Sequence, residues 1–183
     1  MSGLTFIKLN PPQLLIVVFL FFAFSGMLLL KLPVSTTDSI SLVDALFTAT
    51  SAMTVTGLVV VDTGTAFTLF GQLIILFLIQ VGGIGIMTFA VLIFIMLGKR
   101  IGFQERLILQ QALNQTSVGG IILLVKRIII FAFLIEGMAV LLLSYRWIPE
   151  YGWVDGFYYS VFHAISAFNN AGFSIWSDSL MQY

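Results

Sequence analysis

Three apolar stretches, each long enough to cross a lipid bilayer, constrain this chain more than any other feature. The first is LLIVVFLFFAFSGMLLL, residues 14–30. The second runs from Ala66 to Leu97, broken by Gln72, Gln80 and glycines. The third runs from Ile128 to Tyr145 and holds one acid, Glu136. A hydrocarbon core about 30 Å thick needs roughly 20 helical residues to span it. Within it every backbone polar group must be satisfied internally, which leaves helices or a closed barrel. Eighteen Phe, and no long alternating segments, favour helices over a barrel. Charged residues are 9% of the chain, against about 25% in soluble domains. The chain therefore reads as an all-α membrane protein. The first stretch exceeds a signal-peptide core and no clean small-x-small site follows it, so it reads as a retained helix. With no Cys and one His, disulfides, thiolate metal sites, zinc sites and most histidine catalysis are excluded. No enzyme activity and no nucleic-acid partner are expected.

Charge sets the orientation. Residues 98–127 carry Lys99, Arg100, Arg106, Lys126 and Arg127 against Glu105. Residues 32–65 carry Asp38, Asp44 and Asp62 and no Lys or Arg; residues 146–155 carry Arg146 against Glu150 and Asp155. By the positive-inside rule 98–127 is cytoplasmic and the other two segments face outward. Lys8, and with it the N-terminus, falls on the cytoplasmic side of a multi-pass protein.

Between the first two spans lies LVDALFTATSAM, residues 42–53. Twelve helical residues rise only about 18 Å, around half the core. Ser41 and Asp44 form a capping box at its start. The segment is either an amphipathic helix lying on the outer surface or a re-entrant helix that dips and returns. Internal repetition favours the second. FTATSAMTVTGL, residues 47–58, aligns with FHAISAFNNAGF, residues 162–173, at a constant offset of 115, with Phe, Ala, Ser, Ala and Gly coincident. Repeated helix–half-helix units are a common plan in transport proteins. A half-helix entering from outside points the negative end of its dipole at the membrane centre. An extended segment leaving it can line up carbonyls that replace the water shell of an alkali cation. Thr54, Val55 and Thr56 suit an extended run, and Gly57 and Gly172 supply positive φ without steric cost. No carboxylate lies in either turn, which suits rapid release rather than capture of a divalent ion.

SAMTVTGLVVVDT, residues 51–63, closely resembles the first selectivity-filter region of the Trk/Ktr/HKT superfamily of potassium transporters, above all the membrane subunits of bacterial Ktr systems. GQLIILFLIQVGGIGIMT (71–88) is similar to the outgoing helix of a first repeat, GKRIGFQERLILQQALNQ (98–115) to a cytoplasmic connector, and HAISAFNNAGFSIWSDSL (163–180) to a second filter region. The likeness covers essentially the whole chain. It implies four helix–pore helix–helix repeats around one pore, each contributing one filter strand. Thr54, Val55, Thr56 and Gly57 would form the first strand, and Asn169, Asn170, Ala171 and Gly172 the second, binding K⁺ mainly through backbone carbonyls. Gly57 stands where potassium-selective members keep Gly and sodium-selective plant relatives carry Ser. The resemblance further implies a bacterial plasma-membrane location, a homodimer, and a cytosolic octameric ring of nucleotide-binding subunits that responds to ATP and ADP. It leaves Na⁺ open as an activator.

On this reading residues 1–97 form the first repeat, with spans about 14–30 and 66–97 and a pore helix about 42–53. Residues 98–118 are the connector. Residues 119–183 are an incomplete second repeat, with a span about 128–145 and a pore helix about 156–168. The family's third and fourth repeats, and the gating loop of the third, have no counterpart here, so the chain is expected to be a portion that does not conduct alone. The expected function is that of a membrane subunit of a potassium uptake system. The rivals are a secondary carrier with broken helices, and a non-transporting scaffold that recruits a cytosolic partner through 98–118.

Several residues carry two readings each. Glu136, about 13 Å past Arg127 along a helix, is an ion ligand or, preferred here, a hydrogen-bonded structural partner. Gln80, Gly82, Gly83 and Gly85 mark a bend or, preferably, close helix packing. His163 is a proton relay or, preferably, a packing residue. Its i, i+3 neighbour Ser166 does not complete a hydrolase. Ile101, Leu107, Leu109 and Leu113 make a rough apolar stripe for a partner or for the membrane surface. Asp62 and Asp178 follow the two turns and either attract cations or are simply solvated.

Overall fold

The computed structural model describes residues 11–85 and 118–181. These are all-helical apart from one isolated bridge between Thr36 and Phe67. The helices are α1 (Pro11–Leu30), α2 (Leu42–Met53), a single turn α3 (Thr63–Ala66), α4 (Leu69–Gly83), α5 (Val118–Tyr151) and α6 (Trp153–Phe168). The connector up to residue 117, with its apolar stripe, and the stretch 86–97 lie outside the described residues.

Local chemistry sets most boundaries. Pro11 and Pro12 open α1, where a missing N–H costs nothing. The capping box at α2 is present in full: Asp44 N–H donates to Ser41 Oγ at 3.0 Å and Ser41 N–H to Asp44 Oδ2 at 3.1 Å. The apolar run that begins at Ala66 does not become one helix from that point. Phe67 is extended and Thr68 caps α4, so the helix starts at Leu69. It closes at Gly83, and Gly85 takes φ +88° just beyond. In contrast, α5 outruns the apolar stretch 128–145 at both ends, because helicity does not require apolar residues. The part from Val125 to Tyr151 is long and apolar enough to cross a membrane. Gly152, with φ +85°, breaks the chain after it, and α6 therefore begins at Trp153 rather than 156.

α2 packs between α1 and α4, α6 packs on α5, and α4 meets α6. α2 turns small residues inward: Ala45, Ala49 and Ala52 are fully buried. A Cβ on Gly26 of α1 would lie 3.2 Å from Ala49 Cβ and 2.7 Å from Leu78 Cδ1, so Gly26 is where α1, α2 and α4 draw together. Small residues at contacts are how helices approach closely in lipid. The shared core joins Leu30, Ile75, Leu78, Ile79 and Val81 to Phe162, Ala171 and Phe173, so both halves contribute to it. The segment 31–40 is held to the start of α4 by Thr37 N–H donating to Ala66 O and Thr68 N–H to Ser35 O, each at 3.0 Å.

Candidate functional site

Two turns, one after α2 and one after α6, have the same backbone. After α2, the N–H groups of Thr54, Val55 and Thr56 donate to the carbonyls of Thr50, Ala52 and Ser51 at 2.8, 3.2 and 3.0 Å. After α6, those of Asn169, Asn170 and Ala171 donate to Ile165, Ala167 and Ser166 at 3.1, 3.0 and 2.8 Å. Every donor and every acceptor in the first set maps onto the second by adding 115. Each turn is a Schellman closure, with its 6→1 and 5→2 bonds around a left-handed residue. That residue is Val55 (φ +50°) in the first turn and Asn170 (φ +55°) in the second. Gly57 and Gly172 follow, with φ +73° and +72°.

This corrects the expectation of an extended run over Thr54, Val55 and Thr56. Thr54 is helical (φ −86°, ψ −1°), Val55 is left-handed, and irregular backbone begins at Thr56, with Gly57 at φ +73° next. The intrinsic preference of Thr and Val for strands is overridden by closure of the helix end. A β-branched residue held at positive φ is a strained one. Nothing in the identity of Val55 announces it, whereas Asn170 tolerates that conformation well.

The two turns meet. A Cβ on Gly57 would stand 2.6 Å from Ala171 O and 3.1 Å from Gly172 Cα; one on Gly172 would stand 3.2 Å from Gly57 Cα. All eight residues proposed from sequence therefore lie in two adjoining turns: Thr54, Val55, Thr56 and Gly57, and Asn169, Asn170, Ala171 and Gly172. Among the described residues their carbonyls accept no hydrogen bond. The helix-closing bonds consume carbonyls further back and leave these uncommitted. A buried serine braces each turn from behind. Ser51 Oγ lies 3.0 Å from Thr56 Oγ1, and its equivalent Ser166 Oγ donates to Phe173 O at 2.6 Å.

Three sets of contacts clamp the halves together along α4. Outermost, the Asp62 carboxylate accepts from the N–H groups of Gly64 and Thr65, at 2.9 and 3.0 Å, and bonds Ser177. Partial burial works against ionisation of Asp62, but these hydrogen bonds, from Ser177 and Thr65 above all, prevail and hold its carboxyl below the usual range. Asp62 thus builds structure as well as facing solvent. Next, Gln72 Nε2 donates to Phe67 O at 2.8 Å and its Oε1 accepts from the Tyr158 hydroxyl at 2.5 Å. Deepest, Gln80 Nε2 donates to both oxygens of Glu136, at 2.8 and 2.9 Å, and Gln80 Oε1 accepts from Asn169 Nδ2 at 3.0 Å. The preferred reading of Glu136 as a structural partner agrees with this geometry. The packing reading of the glycines holds at two of them: a Cβ on Gly82 would lie 2.0 Å from Met53 O, and one on Gly83 1.9 Å from Asn169 Oδ1.

His163 is buried, stacks on Trp176 with ring centroids 4.3 Å apart, and is bonded through both nitrogens. Nδ1 lies 2.9 Å from Tyr159 O, which can only accept, so Nδ1 carries the proton and Nε2 accepts from Ser174 Oγ at 3.1 Å. Ser166 bonds Phe173 instead, so the two form no catalytic pair. Among the described residues no group of His, Asp and Glu is placed to hold a multivalent metal. The bridging role of Gln72, the bracing roles of Ser51 and Ser166, and the pairing of Asn169 with Gln80 were not foreseen from sequence. The polar breaks at Gln72 and Gln80 within an apolar run were the available signal for two of them.

Over residues 9–183 the chain matches the family model TrkH, described as a cation transport protein. It is 58% identical over 177 residues to the Ktr system potassium uptake protein B of Bacillus subtilis, covering 97% of this chain and 40% of that protein. The Ktr system potassium uptake protein B of Vibrio alginolyticus is 45% identical over 176 residues, covering 96% and 39%. The potassium/sodium uptake protein NtpJ of Enterococcus hirae is 41% identical over 176 residues, covering 95% and 39%. The chain thus spans about two fifths of the length of these relatives, each of which is an ion uptake protein by name. The chain belongs to the TrkH family of cation transport proteins.

Proposed function

We propose that these residues belong to the membrane subunit of a potassium uptake system and supply two strands of its ion filter. α2 and α6 act as re-entrant pore helices entering from the outer face, with the N-terminus in the cytoplasm. External K⁺ sheds its water and is held by main-chain carbonyls of Thr54 to Gly57 and Asn169 to Gly172. It then moves down its electrochemical gradient with no covalent step. Each turn follows the C-terminal end of a helix, where the dipole favours a cation. Uncharged carbonyl ligands bind it weakly enough to let it leave. Two further strands, from two more repeats, complete the ring, and the full-length subunit works as a homodimer gated by a cytosolic octameric nucleotide-binding ring that senses ATP and ADP. Na⁺ acts at most as an activator.

The observation that carries this reading is the pair of turns with one backbone pattern at offset 115, meeting glycine to glycine with their carbonyls uncommitted. Its test is Rb⁺ or K⁺ uptake in cells lacking their own potassium uptake systems. They would express the full-length protein, with its cytosolic partner, as parent and as Gly57→Ser. The added side chain sits at positive φ and its Cβ presses on the Ala171 carbonyl. The expected result is rescue by the parent and weakened discrimination against Na⁺ in the variant. A rescuing parent whose selectivity ignores Gly57→Ser would remove the filter reading.

A further inference from the structure

We infer that Glu136, which contributes no ligand to the ion path, is the positioning residue that sets the second turn against the first and thereby tunes ion selectivity. The inference rests on the filter reading above and goes beyond it. Glu136 is 4% exposed on α5. Its carboxylate takes three donor contacts, two from Gln80 Nε2 and one from Asn169 Nδ2 at 3.3 Å. A carboxylate so engaged and so enclosed is turned away from a cation path. It acts instead through Asn169, the residue that closes α6 and opens the second turn.

The two turns differ at the residue that closes each helix. Thr54, the equivalent of Asn169, closes locally: its hydroxyl donates to Thr50 O at 2.8 Å and lies 3.2 Å from Thr56 Oγ1. Asn169 bonds locally to Ile165 O at 2.9 Å but also reaches α4 and α5. The polarity is fully specified. Asn169 Nδ2 faces three acceptors, so its amide has one workable orientation. Gln80 must then present oxygen to Asn169 and nitrogen to Glu136. An ionised carboxylate, which only accepts, is the side chain that completes this chain of dipoles. The Oδ1 end of Asn169 fills the space left by the missing Cβ of Gly83. The second turn is thereby pinned to α4, the helix whose Gly82 carries the end of α2 and the first turn.

The logic predicts a swap. Glu136→Gln alone puts an amide where only acceptors fit, and Asn169→Asp alone sets two carboxylates against each other. Together they restore one acid and one amide once Gln80 turns its amide over; only the bond from residue 169 to Ile165 O is not recovered. The test is the Rb⁺-to-Na⁺ uptake ratio of the full-length protein with its partner, for parent, both single variants and the double variant. Surface expression and gel-filtration profile are recorded alongside. We expect each single variant to lose selectivity by about tenfold, and the double variant to recover at least half of it on a logarithmic scale. A merely structural role would change the amount of assembled protein and leave the ratio alone. If the singles fail to assemble, the assembled double variant is decisive: near-parental selectivity supports the inference and poor selectivity overturns it. An assembled Glu136→Gln with parental selectivity also overturns it. Should the parent prove indifferent to Gly57→Ser, the filter reading itself falls. A parent sensitive to Gly57→Ser but not to Glu136→Gln sinks the positioning role alone.

Discussion

A methyl group on Gly82 is the smallest change that should pull the two structural layers around the first turn apart. The ideal Cβ would sit 2.0 Å from the Met53 carbonyl oxygen, 2.8 Å from its carbon and 3.3 Å from its Cα. Favourable contact needs about 3.5 Å or more, so α2 and α4 must separate by about 1 Å. All three opposing atoms are backbone, so no rotamer change relieves the clash. Overpacking costs about 1–3 kcal/mol, and a backbone clash belongs at the upper end, near 3 kcal/mol. Gly137, on the exposed side of α5, is the control: a Cβ there meets nothing within 4 Å. Gly137→Ala should gain up to about 1 kcal/mol from helix propensity and a less flexible unfolded chain. The same methyl thus acts in opposite directions on two helices, with a difference of about 4 kcal/mol. The assay is thermal unfolding of detergent-solubilised full-length protein, followed by the surviving monodisperse fraction in fluorescence-detected gel filtration. Gly82→Ala surviving heat as well as Gly137→Ala would refute the close approach of α4 to the end of α2.

Two further outcomes follow from the same geometry. Val55→Gly should relieve a left-handed strain of about 1–2 kcal/mol at a chain-entropy cost of about 0.5–1 kcal/mol. It is therefore expected to melt at or slightly above the parent, while Asn170→Gly melts slightly below it; a Val55→Gly protein clearly less stable than Asn170→Gly would contradict the assigned conformations. For Asp62, hydrogen bonding lowers the folded-state pKa from 3.8. The sign is that of a depressed carboxylate: its stabilisation is complete above its unfolded value and is lost as pH falls through the folded one. Melting curves between pH 7 and pH 3 should show Asp62→Asn losing less stability on acidification than the parent, and parallel curves would remove the proposed link to Ser177.

What could be read along the chain was what is local or repeated. Ser41 and Asp44 are three residues apart and cap α2 as expected, because a capping box needs no tertiary partner. Gly57 and Gly172 could be picked out because glycine alone takes positive φ freely, and both do so. Val55 could not, since its residue type argues for a strand and only the closure of α2 forces it into the left-handed region. Gln72 registers in the sequence only as a flaw in an apolar run, and Gln80 as part of a bend or packing site. Their partners Tyr158 and Glu136 lie 86 and 56 residues away, beyond the reach of any periodicity.

Order of residues along the chain is enough to say that it belongs in a bilayer, that its backbone there must be helical, and that it carries one helix–turn unit twice. These follow from apolar length, from the cost of bare amides in lipid, and from self-similarity at one offset. Three-dimensional packing was needed to show that the two turns touch, glycine to glycine, and which polar side chain inside the apolar layer serves which turn. The reason is physical. A buried glutamine, asparagine and glutamate are each expensive alone, and they become stable only as a set whose donors and acceptors match in three dimensions.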